Sequence, residues 1–137
     1  MKYHAKLTRE GRYWNADVVD CPGCFTFGDS REHAMEMAAE ALTGWLESTL
    51  ARGHVPPVPK YTKGRPVEVD GGLMVSVLVR ILRVSQGLSQ TALAQAAGVT
   101  QQQVSRLESP GANPTMRTLM AVAKALKSEL VVQELAA

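Results

Sequence analysis

The chain has 137 residues, of which 45% are hydrophobic and 20% charged, and its formal net charge is +2. This length suffices for one ordinary domain or two very small ones. We expect a soluble cytoplasmic protein, because no apolar run approaches the roughly 20 residues of a membrane span and the first residues alternate instead of forming a signal peptide. Having only two cysteines excludes a disulfide-stapled secreted scaffold and favours a reducing compartment.

The charge is unevenly distributed along the chain. Residues 1–72 carry nine basic and ten acidic side chains, whereas residues 73–137 carry six basic and three acidic ones. A positive C-terminal part has the sign expected of a segment that docks on phosphates. The difference is small, so function has to be argued from motifs.

The N-terminal segment alternates apolar and polar residues. The apolar positions recur every second residue, at Tyr3, Ala5, Leu7, Trp14, Ala16 and Val18. With Glu10-Gly11 as a tight connection, this pattern predicts a β-hairpin. The aromatic run from Cys24 to Phe27 follows a turn at Pro22-Gly23 and predicts a third strand that ends at Gly28.

A long helix is predicted next. Asp29 followed by Glu32 has capping-box spacing, and apolar residues recur at helical spacing from Ser30 until Gly53 stops the helix. The proline-rich stretch after Gly53 forbids helix and predicts an extended connector. Val67 to Val69 could add a fourth strand to the sheet.

Asp70-Gly71-Gly72 marks a boundary between two small domains, residues 1–70 and 71–137. Beyond it the period is helical to about residue 128, and Gly87, Gly98 and Pro110-Gly111 divide the run into four or five short helices. The tail from Glu129 to Leu135 alternates again. We expect it to form a strand that pairs with its symmetry mate.

Residues 88–109 have the order of a helix-turn-helix. Ser89 and Thr100 can each cap a helix, and Gly98 can take the positive φ that the turn between them requires. With Val104 and Leu107 pointing inward, the residues left facing outward are Gln101, Gln102, Gln103, Ser105 and Arg106. Glutamine can pair with adenine and arginine with guanine in the major groove. The alternative is the solvated face of an ordinary helical hairpin.

These residues resemble the Xre/Cro-type DNA-binding domain of lambdoid phage repressors. The resemblance implies that Gln90 clamps a phosphate at its helix N-terminus and that the start of the next helix touches base edges. It also implies a structural pair between Arg83 and Glu108, and a homodimer or higher oligomer on operator DNA. The residues assigned to DNA binding are Gln90, Thr100, Gln101, Gln102, Gln103, Ser105 and Arg106.

The N-terminal motif string Asp-Cys-Pro-Gly-Cys-Phe-Thr-Phe-Gly-Asp-Ser at residues 20–30, followed by the alanine-rich helix, resembles the HicB family of antitoxins. The resemblance implies an α+β chain in which a small βββαβ domain, similar to a truncated ribonuclease H fold, precedes the all-α helix-turn-helix domain. It implies a HicA-like toxin as partner. We place the toxin contact on the sheet face or edge with Tyr13, Trp14 and the acidic helix.

Enzyme functions are disfavoured. Cys21 and Cys24 have dithiol spacing, but they enter a predicted strand instead of a helix N-terminus that would activate a thiol. The histidines lack zinc-ligand spacing, and the first strand lacks the carboxylate that ribonuclease H chemistry needs. We therefore expect no catalytic residue, no metal and no cofactor.

The sequence thus predicts a type II antitoxin that neutralises a HicA-like mRNA-cleaving ribonuclease and represses its own operon. One alternative is a stand-alone transcriptional repressor whose N-terminal domain senses a ligand or oligomerises. Another is an enzyme that uses the dithiol.

Overall fold

A computed structural model describes residues 1–128, 131, 133 and 134. The chain divides into two compact units: unit 1 comprises Met1–Ser48 and Pro57–Val69, and unit 2 comprises Thr49–Pro56 and Asp70–Ala137. The stretch Thr49–Pro56, which the sequence placed in the first domain, therefore packs with the second unit. The architecture is α+β, as predicted.

Unit 1 is built on a four-stranded antiparallel sheet with strand order β3-β2-β1-β4. Its elements are β1 (His4–Glu10), β2 (Tyr13–Val18), β3 (Phe25–Gly28), α1 (Arg31–Ala51) and β4 (Arg65–Pro66). The last three residues of α1 belong to unit 2.

The hairpin of β1 and β2 follows the predicted alternation. Glu10 pairs with Tyr13 across the turn, and Gly11 has a φ of 61°, which a residue with a side chain rarely adopts. The inward face buries the predicted apolar residues Tyr3, Ala5, Ala16 and Val18. The outward face is exposed, as expected of an antiparallel sheet covered on one side.

The loop between β2 and β3 is closed by backbone hydrogen bonds. The Val18 amide donates to the Cys24 carbonyl at 3.0 Å, and the Cys24 amide donates to the Cys21 carbonyl at 3.0 Å. Gly23 takes a φ of 82° in the turn. Both cysteines lie in the core of unit 1 as free thiols.

Helix α1 starts one residue later than the proposed capping box implies. Ser30 Oγ, not the Asp29 carboxylate, accepts the hydrogen bond from the His33 amide at 3.0 Å. The predicted cap at Asp29 was therefore wrong. Ser30 directly precedes α1, and its hydroxyl caps the amide of His33, the third residue of the helix. A Cβ on Gly28 would collide with the backbone of Ala34, so only glycine lets β3 run into α1 here.

The fourth strand lies slightly before the predicted position. β4 is Arg65–Pro66 instead of Val67 to Val69, and it pairs with the start of β1. The Val67 amide continues this pairing by donating to the Tyr3 carbonyl at 2.8 Å. Asp20 holds the connector before β4 in place by accepting from the amides of Lys60 and Tyr61, both at 2.9 Å.

Unit 2 is helical. Its described helices are α2 (Gly71–Ser85), α3 (Gln90–Ala97), α4 (Gln101–Leu107) and α5 (Met116–Ala125). Each begins with a side-chain cap, from Asp70, Ser89, Thr100 and Thr115 respectively. Capping satisfies amides that the first turn of a helix cannot satisfy by itself.

The predicted C-terminal strand lies only partly within the described residues. Val131, Gln133 and Glu134 have helical backbone, and Val131 is buried. For these residues the strand prediction was wrong. Val131 is buried in a helical unit, and this packing outweighs the alternating pattern of the sequence. Residues 129, 130, 132 and 135–137, which complete the predicted strand, lie outside the description.

Across residues 1–128, 131, 133 and 134, no single helix is long and apolar enough to cross a membrane. Only α2 and α3 taken together reach the required length and composition, and they are bent by 101°.

Candidate nucleic-acid interface

The helix-turn-helix is formed by α3, Gly98 and α4. Gly98 ends α3 with a φ of 70°, and its amide bonds back to the Ala94 and Gln95 carbonyls. Thr100 then starts α4 with a full capping box: its hydroxyl accepts from the Gln103 amide at 3.1 Å, and Gln103 Oε1 accepts from the Thr100 amide at 2.8 Å. This reciprocal cap fixes the start and the rotation of a helix that has only seven residues.

The capping box changes the role expected of Gln103. The sequence placed this side chain among the outward base readers, but its carbonyl oxygen is held by the Thr100 amide. The Thr100 hydroxyl is likewise used in the cap, where it accepts from the Gln103 amide. Only the amide nitrogen of Gln103 is left to face a ligand, so its first role is structural.

Gln90 and Gln101 are joined across the turn. Gln101 Nε2 donates to Gln90 Oε1 at 2.9 Å, and Gln90 Nε2 lies 3.4 Å from Glu108 Oε1. Gln90 is half-buried, whereas Gln101 is exposed. The first residue of α3 therefore orients the first residue of α4 and keeps one amide hydrogen for an outside acceptor.

Gln102 and Arg106 are the outward side chains that remain uncommitted. Both are exposed, and neither makes a hydrogen bond or ion pair with the residues that the structure describes. Because they are four residues apart, they lie on the same face of α4. Ser105, by contrast, is half-buried, and its carbonyl accepts the Ser109 hydroxyl at 2.7 Å.

A groove runs beside the exposed face of α4. It has a volume of about 250 Å³ and is lined by Gln103 and Arg106 of α4, by the loop Ala112 to Pro114, and by Thr115 and Thr118 at the start of α5. Polar side chains and a guanidinium thus border a concave surface together with apolar groups, among them Leu107. A phosphodiester backbone fits this chemistry.

A buried ion cluster holds the C-terminal end of α4 in place. Glu108 is fully buried at the end of α4, and Arg83 Nε lies 2.6 Å from its Oε2. Arg83 also donates to Glu108 Oε1 at 3.0 Å and to the Leu88 carbonyl at 2.8 Å. The structure therefore brings together Arg83 and Glu108, the two residues that the resemblance paired.

Arg80 is the third member of the cluster, and the sequence analysis missed it. It is 6% exposed and donates to Glu108 Oε1 at 3.0 Å and to the Glu108 carbonyl at 3.1 Å. It also donates to the carbonyls of Leu50 and His54, both at 2.9 Å. The available signal was a lone charge inside the apolar run Val77 to Ile81, because a buried arginine requires acceptors.

The arrangement favours recognition over catalysis. Side-chain caps satisfy amides in the first turn of each helix, the caps and the Glu108 cluster fix the orientation of α4, and an amide and a guanidinium face outward. Such donors suit base edges in a major groove, where bidentate pairs of this kind discriminate between bases. The site thus presents rigid hydrogen-bonding groups to a ligand that approaches along α4.

Tyr13 and Trp14 do not form one surface. They are neighbours on β2, so their side chains lie on opposite faces of the sheet. Tyr13 packs edge-on against Phe27 with ring centroids 5.6 Å apart, on the exposed face. Trp14 is half-buried on the helix side, with the Arg31 guanidinium 4.6 Å above its ring.

The two cysteines are poorly suited to thiol chemistry. Burial, together with the charges of Cys24 and Asp20, raises the pKa of Cys21 to about 12. Burial and the charge of Asp17 raise the pKa of Cys24 to about 11. Both thiols are therefore protonated at neutral pH, which disfavours the dithiol enzyme. Within the described part of the chain, no three His, Cys, Asp or Glu side chains converge to hold a metal.

Comparison with known families finds two matches, which overlap over residues 79–94. Residues 79–132 match a helix-turn-helix family. Residues 4–94 match the family described as the HicB_like antitoxin of bacterial toxin-antitoxin systems.

Two curated relatives come from Photorhabdus laumondii subsp. laumondii. "Antitoxin HicB 2" is 28% identical over 131 residues, which cover 95% of this chain and 94% of the relative. "Antitoxin HicB 1" is 30% identical over 132 residues, which cover 95% of this chain and 84% of the relative. The chain belongs to the HicB-like antitoxin family and carries a helix-turn-helix DNA-binding domain.

Proposed function

We propose that this antitoxin neutralises a HicA-like, mRNA-cleaving ribonuclease and represses its own operon by binding operator DNA. The observation that carries the proposal is a capped α4 with Gln102 and Arg106 exposed on one face, in the same chain as a HicB-type sheet unit. Unit 1 supplies toxin binding and unit 2 supplies DNA binding. The protein acts in the cytoplasm and has no catalytic role of its own.

In the DNA-binding step, α4 lies in the major groove. Gln102 and Arg106 contact base edges, and Gln101 reaches them while Gln90 holds its side-chain amide. The remaining amide hydrogen of Gln90 bonds a phosphate at the N-terminus of α3. Gln103, Thr100 and Ser105 support the helix more than they read bases.

Operator binding requires two copies of the chain. One short recognition helix makes few phosphate contacts, so usable affinity normally comes from two copies on half-sites about 10 base pairs apart. We therefore propose a symmetric homodimer. The helical backbone of Val131, Gln133 and Glu134 speaks against the strand pairing predicted for the tail.

Toxin binding is assigned to unit 1, whose order of three strands, a helix and a strand we interpret as a truncated ribonuclease H-like fold. Tyr13 and Trp14 face opposite sides, so one flat partner covers only one of them. The side of α1 is favoured, because Glu32, Glu36 and Glu40 are exposed at four-residue spacing along it. A ribonuclease has a basic face that such carboxylates would attract.

Co-expression with the toxin gene of the same operon tests the proposal. We expect the wild-type chain to restore growth, and Trp14→Ala to lose more rescue than Tyr13→Ala. A reporter fused to the operon's promoter should be repressed by the same chain. Rescue without repression would leave an antitoxin that does not regulate its operon, and repression without rescue would favour the stand-alone repressor.

A further inference from the structure

The connector that leads into β4 carries a cluster of basic residues. Lys60, Lys63 and Arg65 lie close together in sequence, and the chain from 54 to 67 contains no acidic residue. All three side chains are exposed, and none makes a hydrogen bond or ion pair with any of residues 1–128, 131, 133 and 134. We call residues 60–65 the basic loop. Its charged groups are available to an anion outside the chain.

The basic loop is held in shape by contacts at both of its ends. At the first end, Asp20 Oδ2 accepts from the amides of Lys60 and Tyr61, both at 2.9 Å. At the second end, Gly64 has a φ of 69°, and a Cβ at this position would collide with the carbonyl of Ala5. The loop then continues into β4, which pairs with β1. Because the backbone is already ordered, a ligand does not have to order it on binding.

The acidic residues that border the basic loop are already engaged. The Asp20 carboxylate accepts the two loop amides, and its charge offsets one of the three positive charges. Glu68 follows β4 and forms an ion pair with Lys2, with 3.3 Å between Lys2 Nζ and Glu68 Oε1. A net positive charge therefore remains on the loop. This charge attracts phosphate and repels a basic protein, so the loop and the exposed carboxylates of α1 suit different partners.

The residue types of the basic loop favour a duplex over a single strand. Proteins bind single strands largely by stacking the bases on aromatic side chains. Tyr61, the aromatic residue of the loop, is half-buried, and the exposed rings of Phe25 and Phe27 belong to β3 at the other edge of the sheet. Lysine binds phosphate as a point charge and carries no sequence information in that contact. The loop thus offers charge to a phosphate backbone and lacks an exposed stacking platform.

We propose that the basic loop binds the phosphate backbone of duplex DNA and adds affinity that does not depend on base sequence. Unit 1 then has a second partner besides the toxin. The proposal goes beyond the base reading assigned to α4, and it supplies phosphate contacts that one short recognition helix lacks. Each phosphate neutralised by a lysine releases counterions, so the affinity gained in this way falls as salt rises.

The salt dependence of binding measures these contacts. The purified full chain, without toxin, is titrated with a scrambled duplex at several salt concentrations. Lys60→Gln with Lys63→Gln removes two positive charges per copy and should reduce the slope of log affinity against log salt by about 1–2 per copy, since each neutralised phosphate contributes about 0.9. Lys60→Arg with Lys63→Arg keeps the charges and should retain the wild-type slope.

A matched control removes two positive charges elsewhere in unit 1. Lys6→Gln with Arg12→Gln changes the net charge equally, at exposed positions in β1 and in the hairpin turn, and should leave the slope at the wild-type value. Equal reductions in the two glutamine variants would mean that only the net charge matters, which would overturn the inference. An unchanged slope in the loop variant would overturn it as well.

Photo-cross-linking locates the contact without relying on a loss of binding. Cys21 and Cys24 are 1% and 3% exposed, so a thiol-directed photoreactive group attaches to an introduced surface cysteine. Placed at Thr62→Cys in the basic loop, the group should cross-link to the scrambled duplex with a yield at least fivefold above that from Thr8→Cys, an exposed position in β1. Similar yields from the two positions would contradict the proposal.

These results are separable from failure of the proposed function, because scrambled DNA carries no operator. The ratio of operator affinity to scrambled affinity should be the same for wild type and for Lys60→Gln with Lys63→Gln. If wild type shows no preference for the operator, base reading by α4 fails while the salt slopes still test the loop. If the loop variant keeps its duplex slope and loses affinity for a single-stranded RNA of the same length, the loop binds RNA and the proposal is wrong.

Discussion

Helix α4 and strand β3 are both short surface elements, yet they expose opposite kinds of groups. The backbone groups of α4 bond within the helix or to the Thr100 cap. The groups that α4 offers to a ligand are therefore side chains such as Gln102 and Arg106. β3 directs the backbone groups of Phe25 and Phe27 away from β2 and exposes the rings of both residues on one face of the sheet. The first pattern suits a ligand recognised by side-chain donors, and the second suits another strand.

The supports beneath the two elements also differ. α4 rests on a buried ion cluster in which Glu108 accepts from Arg80 and Arg83. β3 belongs to unit 1, whose core is apolar, and Gly28 permits its close approach to α1. A polar cluster fixes one orientation because each of its members requires the others, whereas the apolar core only excludes water.

The largest expected effect comes from breaking the support of α4. Glu108→Ala leaves the buried Arg80 and the half-buried Arg83 without their carboxylate and should lower the free energy of unfolding by about 3–5 kcal/mol. Chemical denaturation measures this loss. Glu40→Ala, at an exposed carboxylate of α1, is the control and should change stability by no more than about 0.5 kcal/mol.

The Arg80 contacts refine that prediction. Arg80→Ala should cost more than Arg83→Ala, because Arg80 also satisfies three backbone carbonyls. Equal costs would show that the carbonyls find other donors. The same contacts explain why deleting residues 1–70 is a poor test of unit 2, since the deletion removes two acceptors of a buried arginine.

Alkaline pH should weaken unit 1 through its thiols. In the unfolded chain the cysteines release protons near pH 9, whereas in the folded chain Cys24 keeps its proton to about pH 11 and Cys21 to about pH 12. Stability therefore falls as pH rises from 9, by at most about 1.4 kcal/mol per pH unit for each thiol. The part of the loss that the thiols contribute should be complete once the pH exceeds both folded values. Burial also raises the pKa of Tyr3, which adds a further loss above its ordinary value of 10.0.

Denaturation between pH 8 and pH 11 measures this slope. Cys24→Ala should flatten it, because the variant removes one titrating thiol and one neighbour that raises the pKa of Cys21. An unchanged slope would mean that these thiols ionise as easily in the folded chain as in the unfolded one.

The smallest effect concerns the cap of α4. Thr100→Ala removes the hydroxyl that accepts the Gln103 amide and should cost about 1 kcal/mol of stability. Thr91→Ala, at an exposed position in α3, is the matched control. A similar cost for both substitutions would mean that the capping box does not hold α4.

Much of this architecture could be predicted from the sequence, because it follows from local patterns. Alternation located β1 and β2, and the order of Ser89, Gly98 and Thr100 located the helix-turn-helix. Local spacing does not show how an outward side chain is used. Gln103 was assigned to DNA binding because spacing places it outward, whereas its side-chain carbonyl accepts a hydrogen bond within the cap of α4.

Some of the remaining features depend on packing between distant segments and could not be predicted, whereas one followed from the strand pattern. Two of the three carbonyl acceptors of Arg80 lie 26 and 30 residues earlier in the chain. The opposite orientation of Tyr13 and Trp14 did follow from strand alternation and was overlooked when both were assigned to one surface. Val131 is buried in the helical unit, which an alternating tail pattern does not reveal.

The central claim is that the outward side chains of α4 read operator sequence. It is tested most directly by binding the full chain to its own promoter DNA and to scrambled DNA at one salt concentration. We expect Gln102→Ala to lose about 1–3 kcal/mol of discrimination with little change on scrambled DNA, and Gln90→Ala to weaken binding to both. Equal losses on both DNAs for Gln102→Ala, or none on either, would contradict the account.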